Sequence, residues 1–304
     1  MKLAICICTH RRAKGLSRLL KALEPLALEH AFEIYVVDNH RAHEGLDAIT
    51  ALQGAGYPIP IHSAPVDEGG ISQARNRVLQ MAIDAQATHA ALIDDDEWPS
   101  TQWLSELLRV QNIEDVDAVG GPTTAVFESD APEALRNCIY YGADLNLEDN
   151  ATCTLQACGN VLLKLQTLSE LEKPFFDPTL GRSGGEDLRF FMRFEQTGFT
   201  MRWAKNAEVF ETVPADRSTK QWLRRRVALI ANTRVHIMSE AEPGCAAATK
   251  RCCKTLALGL QAMIYTALQS SGQSMQIQAL IHRAKFRGKW RAHLGRRLER
   301  GENH

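Results

Sequence analysis

The chain lacks an apolar run long enough to span a membrane. Its longest candidate, "TLALGLQAMIYTALQ" from Thr255, is short and interrupted by Gln261. It also lacks the apolar core of a secretory signal, because "MKLAICIC" gives way at once to "THRR". Both absences predict a cytoplasmic protein. The eight cysteines show no disulfide-scaffold spacing, which predicts reduced thiols. Cys153 and Cys158 have no second ligand pair at zinc-site spacing. No G-x-G-x-x-G follows the first apolar stretch and no G-x-x-x-x-G-K-[ST] occurs, which argues against a dinucleotide fold and a P-loop. The aspartate-nucleophile phosphatases carry an acid at the end of their first strand, and "ICICTHRR" has none there.

What is present is divided by charge. The net charge of −1 over 304 residues conceals a basic tail. Residues 245–304 hold eleven Lys/Arg and two Asp/Glu, so 24 Lys/Arg and 34 Asp/Glu remain in the body. An acidic body with a basic tail predicts two jobs.

Apolar strands alternate with amphipathic helices through the first 122 residues. "KLAICIC" (2–8), "FEIYVVD" (32–38), "PIPIHS" (58–63), "HAALID" (89–94) and "VDAVGGP" (116–122) read as strands. Cys6 and Cys8 fall on one face of the first, as buried small residues. Helices are predicted over 13–26, with Leu16, Leu19, Leu20 and Leu23 on one face, and over 43–53, 69–85 and 100–110, the last capped by Ser100. The pattern predicts an α/β fold with a mostly parallel, Rossmann-like sheet covered by helices on both faces. Ligands of such sheets collect outside the carboxyl ends of the strands. The polar groups there are Thr9-His10-Arg11-Arg12, Asp38-Asn39 and Asp94-Asp95-Asp96. Beyond residue 122 the alternation fades into irregular chain. A helix is predicted from about Gly185, followed by helices over 219–238, 246–269 and 276–300.

"ALIDDDEWP" places adjacent acids directly after a buried strand. Hard cations such as Mn²⁺ and Mg²⁺ take carboxylate oxygens together with substrate phosphates. Period-two alternation predicts Asp94 and Asp96 on one side, with Asp95 pointing away. A solvated acidic loop before a helix N-terminus is the plainer alternative.

"ICICTHRR", "YVVDNH", "GGISQARNRVL", "ALIDDDEWP" and "GRSGGEDLRFFMRFEQTGF" occur in the order found in family 2 glycosyltransferases of the GT-A fold. The chain resembles in particular the bacterial members that build exopolysaccharide side chains, of the succinoglycan type. The resemblance covers about residues 1–235. It implies a metal-dependent hexosyltransferase that moves a sugar, with inversion, from a nucleotide-sugar donor, taken to be UDP-linked, to a polysaccharide or lipid-linked oligosaccharide. Thr9, Arg11, Asp38, Arg75 and Asp94 would then line the donor nucleotide, with Asp38 reaching the base and Asp94 the ribose. Asp96 would ligate Mn²⁺ or Mg²⁺, and Asp187 would be the general base. Glu186 would orient the acceptor or the loop, and Gly184 and Gly185 would let the backbone approach the sugar.

Many relatives carry a metal-binding histidine where this chain reads "AEVFETVPADR"; either Glu211 ligates in its place or the metal relies on Asp96 and the diphosphate, and Arg217 either clamps the diphosphate or is a solvated arginine. Trp222 and Arg224 to Arg226 face the acceptor side by resemblance, or pack. The expected domains are a GT-A body over 1–240, split at 122 into nucleotide and acceptor halves, and a helical extension over 241–304. In that tail, Ile277, Leu280, Ile281 and Trp290 follow helical spacing among Lys and Arg, which predicts peripheral contact with an anionic membrane at its inner face, with a solvated helix packed on the body as the plainer alternative. Nucleic acid is not expected as a partner, because the body is acidic. The competing functions are a sugar nucleotidyltransferase and a silent nucleotide-sugar-binding protein of the same fold.

Overall fold

Alternation along the first strand decides the layering. Ile5, Ile7, Ile34, Val36, Ala91 and Ile93 enter one buried cluster, while Ala4, Cys6, Tyr35, Val37, Ala90 and Leu92 enter another. Successive residues of a strand point to opposite faces, so both faces of this sheet are covered. The computed structural model describes residues 1–66, 70–181 and 183–299. Gly69, Arg182 and Arg300, which fall within stretches quoted above, lie outside the described residues.

The elements run β1 (Leu3–Thr9), α1 (Ala13–Leu23), β2 (Phe32–Asp38), α2 (Glu44–Gly54), β3 (Ile61–Pro65), α3 (Ile71–Asp84) and β4 (His89–Asp94). Then come β5 (Glu97–Pro99), α4 (Trp103–Glu114), β6 (Ala118–Gly120), β7 (Thr123–Phe127), α5 (Glu133–Arg136) and β8 (Asn160–Lys164). The chain continues through α6 (Glu186–Gln196), β9 (Met201–Trp203), β10 (Val209–Val213), α7 (Lys220–Ala241), α8 (Cys245–Ala267) and α9 (Gln273–His293). A seven-stranded sheet has the order β3-β2-β1-β4-β8-β6-β9. Its pairs are parallel except those of β8 with β4 and β6.

Contacts divide the chain into two compact units. The first comprises Met1–Thr124, Gly142–Gly181 and Glu186–Thr212 and contains the sheet. All four leucines of the α1 stripe are fully buried on one face of the sheet. Each contributes about 1.5–3 kcal/mol of transfer free energy, enough to seat a short helix that has no side-chain cap. On the other face, Ala74, Val78 and Leu79 of α3 meet Phe190, Phe191 and Phe194 of α6 in one cluster. Ser100 does not cap α4. That helix starts at Trp103 without a side-chain cap, and the Ser100 carbonyl accepts the Trp103 N–H at 3.2 Å.

The second unit contains Ala125–Tyr141, the loop ending at Gly185, and the chain from Val213. Its core joins Leu135, Tyr141, Leu223 and Val227 to Ile277 and Ile281. Thr219 caps α7 by accepting the Trp222 N–H at 3.1 Å. The helices α7 and α9 approach closely: a Cβ on Gly288 would lie 2.2 Å from the Ala228 carbonyl oxygen. The boundary expected at residue 240 therefore falls inside this unit. Ile277 and Ile281 serve its core, because α7 covers the stripe that the sequence assigned to an acyl boundary. Trp222 stacks on Tyr141 with centroids 5.2 Å apart, a packing role.

Candidate active site

Strand register builds the site edge. Thr9 aligns with Asp38 across β1–β2, and Cys8 with Asp94 across β1–β4, so three strands end level. Beyond Asp94 the chain turns rather than continuing as strand. The expected alternation of Asp94, Asp95 and Asp96 stops there, and Asp95 does not point away. It is buried, and its carboxylate accepts the Thr9 hydroxyl at 2.8 Å and the His10 N–H at 3.2 Å. Arg12 donates to Asp95 and also contacts Asp96, both at 2.8 Å. Burial pushes the Asp95 carboxyl up to about 6; Arg12 opposes this and Asp96 adds to it.

Asp38 closes the β2–α2 turn. Its two carboxylate oxygens accept the His40 N–H at 2.9 Å and the Gly45 N–H at 2.8 Å. Only glycine permits this approach, since a Cβ at position 45 would lie 2.6 Å from Thr9 Cγ2 and 2.8 Å from Asp38 Oδ2. His10 Nδ1 bonds Asn39 Oδ1 at 2.9 Å, tying the ends of β1 and β2. Arg11 is exposed in the left-handed region, with φ of 57°, and Arg12 rather than Arg11 meets the acids.

Arg75 is the hub. It projects from α3, is buried, and contacts Glu186 Oε1 at 2.9 Å, Asp94 Oδ1 at 3.4 Å, and Asp187. One guanidinium thus joins the end of β4 to the first turn of α6. The turn is held from below by stacked aromatics, with Phe176 and Phe190 centroids 4.6 Å apart. Asp187 keeps 18% of its side-chain surface open, so a ligand can reach it. Burial pushes its carboxyl up to about 7; Arg75 counteracts this, while Glu186 and Asp94 reinforce it. The Cys158 thiol hydrogen-bonds the same carboxylate. Glu186 is buried, and its Oε2 has no hydrogen-bond partner among the described residues. In the second unit Gly184 and Gly185 have φ of 79° and 94°, a region open to glycine. A Cβ on Gly185 would also meet Thr233 Cγ2 at 2.4 Å.

Glu211 lies on β10 opposite Glu97 of β5. Glu97 is buried, accepts the Asp94 N–H at 2.9 Å, and has its carboxyl pushed well up, first by burial and then by Asp94, Asp96 and Glu211. Arg217 belongs to the second unit, where its carbonyl accepts the Tyr141 hydroxyl at 2.8 Å.

Among the described residues no three His, Cys, Asp or Glu side chains are arranged to hold a metal unaided. The donor set nonetheless fits a hard cation completed by phosphate oxygens. Asp94 keeps 39% and Asp96 16% of its side-chain surface, and Asp96 is already paired with a cation in Arg12.

The structure thus brings Asp94, Arg75, Glu186 and Asp187 together and sets Thr9 and Asp38 along the same strand edge. It adds Arg12, Asp95, Glu97 and Cys158, which the sequence did not single out as site residues. Arg12 and Asp95 were visible as neighbours of the strand ends. Cys158 carried no signal, because only tertiary packing brings it to Asp187.

Residues 4–171 match the family model described as Glycosyl transferase family 2. The chain is 29% identical over 247 residues to the succinoglycan biosynthesis protein ExoM of Rhizobium meliloti (strain 1021), covering 79% of this chain and 76% of that one. Among solved structures it is similar to a mannosyltransferase, PcManGT, from Pyrobaculum calidifontis, in complex with GDP-Man and Mn²⁺. That likeness has a TM-score of 0.65 at 15% identity, over 95% of this chain and 86% of the other. It is also similar to S. aureus TarS 1–349 in complex with UDP, with a TM-score of 0.54 at 14% identity, over 99% and 95% of the two chains. These structures share the GT-A fold with this chain.

Proposed function

The chain belongs to glycosyl transferase family 2, and from that premise we propose that it transfers a hexose, with inversion, from a nucleotide-diphosphate donor to a saccharide or lipid-linked acceptor. The observation that carries this reading is the span of Arg75: a single guanidinium ties Asp94, on the donor edge, to Asp187 at the start of α6. A donor phosphate or ribose on the strand ends and a base within reach of its sugar are what a direct displacement needs.

In the proposed step the Asp187 carboxylate accepts the proton of the acceptor hydroxyl. The acceptor oxygen bonds to the anomeric carbon from one face while the bond from that carbon to the diphosphate oxygen breaks on the other, and the nucleoside diphosphate departs. A carboxyl that titrates near 7 is well matched to this work at neutral pH. Glu186 Oε2, buried without a partner among the described residues, is the proposed acceptor for a substrate hydroxyl. Thr9, Asp38 and Asp94 are proposed to line the nucleoside, and Arg75 to position Asp187. Asp96 is proposed to hold Mn²⁺ or Mg²⁺, which would neutralise charge on the leaving diphosphate.

PcManGT was solved with GDP-Man, and TarS 1–349 also in complex with UDP-GlcNAc, so both nucleotides belong in the test. We take UDP as the expected one. Likeness to ExoM supports an acceptor from exopolysaccharide assembly. A lipid-linked acceptor goes with peripheral attachment to an anionic membrane through the tail. No helix among the described residues is long and apolar enough to cross a membrane.

Thermal unfolding with a panel of nucleotide sugars, with and without Mn²⁺, tests the donor reading. The expected result is a raised midpoint with one UDP-sugar, larger with Mn²⁺, since a ligand that binds the folded state stabilises it by mass action. No protection by any nucleotide sugar would refute it.

A further inference from the structure

The helices α8 and α9 form an antiparallel pair. Phe286 lies over Gly259, where a Cβ would sit 2.9 Å from its ring. Thr255 Oγ1 meets His293 Nε2 at 3.0 Å, and Tyr265 stacks on His282 at 4.3 Å. The contacts use one side of α8. A different side carries Leu256, Leu260 and Met263 at i, i+4 and i+7, exposed by 54%, 60% and 62%. Large apolar side chains seldom stand so open in a row on a monomer.

The partner helix continues this surface. Arg283, Arg287, Trp290 and Leu294 follow i, i+4, i+7 and i+11, and all four are exposed, Trp290 by 42% and Leu294 by 58%. At about 100° per residue, and with the antiparallel contacts just given, the two stripes turn to the same side of the pair. The opposite side of α9 is taken by α7, where Asn232 donates to the Gly288 carbonyl at 3.0 Å.

Charge identifies the occupant. Between Glu242 and Glu299 the sequence has no Asp or Glu and ten Lys/Arg. A protein partner would have to answer an unbroken run of one sign, whereas an anionic bilayer does so by its nature. Apolar side chains enter the acyl boundary, tryptophan settles at the headgroup level, and arginines reach lipid phosphates. We propose that the face formed by Leu256, Leu260 and Met263 of α8 with Trp290 and Leu294 of α9, rimmed by Arg283 and Arg287, is where this protein docks on an anionic membrane. This rests on the peripheral reading above and replaces the buried Ile277 and Ile281 as the contact residues.

The test uses the full chain and co-sedimentation with equimolar phosphatidylglycerol–phosphatidylcholine vesicles, against phosphatidylcholine alone. The intact protein is expected to bind the anionic vesicles at low salt and to release as salt rises. Leu260→Gln with Met263→Gln should cut partitioning roughly a hundredfold or more, the order expected for losing two buried apolar side chains. Arg283→Gln with Arg287→Gln should cut it by roughly twenty-five-fold, about fivefold per basic residue. Because these side chains are exposed, the unfolding midpoint and protection by UDP-sugar should stay as in the parent. If the intact chain ignores anionic vesicles, the peripheral reading itself fails. If it binds and both variants bind equally well, membrane contact stands but this face is wrong. If the apolar pair instead lowers the mass measured by light scattering and leaves vesicle binding alone, the face joins two copies of the chain and the proposal is overturned. Donor protection is read separately, so failure of the donor reading cannot be mistaken for any of these.

Discussion

Arg75→Met removes the charge at the hub while keeping a side chain of similar reach. Three carboxylates then lose a shared cation in a buried setting: Glu186 at 2.9 Å, Asp94 at 3.4 Å, and Asp187. A pair of unit charges about 4 Å apart is worth about 4 kcal/mol at an effective dielectric near 20. The Asp94 contact is discounted, because that side chain is 39% exposed and water screens it. Glu186 dominates the loss, with 3% of its side chain exposed. Breaking a buried pair by deleting one partner costs about 3–5 kcal/mol, and that is the expected deficit at pH 8. The deficit should depend on pH with a definite sign. Arg75 lowers the Asp187 pKa, so its loss raises a value already near 7 still further above that of the unfolded chain. A carboxyl whose folded pKa is raised holds its proton longer in the folded state, so stability falls as pH rises towards that folded pKa. Urea midpoints at pH 5 and pH 8, compared with the parent at each, read this directly. The variant should be closer to the parent at pH 5. A deficit under about 1 kcal/mol at pH 8, or one equal at both values, would refute the account of Arg75 as a structural counter-charge.

Other outcomes follow from the same geometry. Asp187→Asn should keep donor protection but lower kcat by roughly 10²–10⁴, the usual worth of a general base. In the parent, kcat should fall on the acid side of about pH 7, where the Asp187 carboxyl takes up its proton, and the limb should move upward in Arg75→Met. Asp96→Ala should abolish the Mn²⁺ dependence of UDP-sugar binding measured by calorimetry, and an unchanged dependence would remove Asp96 as ligand. Glu186→Gln should raise the acceptor KM, because a contact to a substrate hydroxyl is changed, and should move the acid limb of kcat downward, because Glu186 raises the Asp187 pKa. Ile281→Ala should cost about 2–5 kcal/mol of stability, seen as a lower urea midpoint, because the side chain is core rather than surface.

How legible the molecule was depends on the range of the interactions involved. Apolar strands and the α1 leucine stripe announce themselves, since burial imposes a period that local sequence must obey. Cys6 and Cys8 fall on the face the alternation gives them, and the strand-end acids fall on the edge a parallel sheet gives them. Periodicity fails where an element ends. Period two places Asp96 beside Asp94 only if the strand continues, but the chain turns after Asp94, and Asp95 becomes the buried anchor for Thr9 and Arg12. It fails again at α9, whose amphipathic stripe is as compatible with a lipid surface as with another helix. Nothing in the stripe itself decides between them. The deciding residue is Gly288, one position that lets α9 close on Ala228 of α7 and so commits Ile277 and Ile281 to the core. The apolar groups left over lie on α8, where Leu256, Leu260 and Met263 read in sequence like any buried helix. A pattern tells which side chains seek burial; the neighbour that supplies it is a property of the whole chain, and where none of the described residues covers the apolar groups, as on the outer stripe of α8, the exposed stripe is the strongest pointer to a partner outside the molecule.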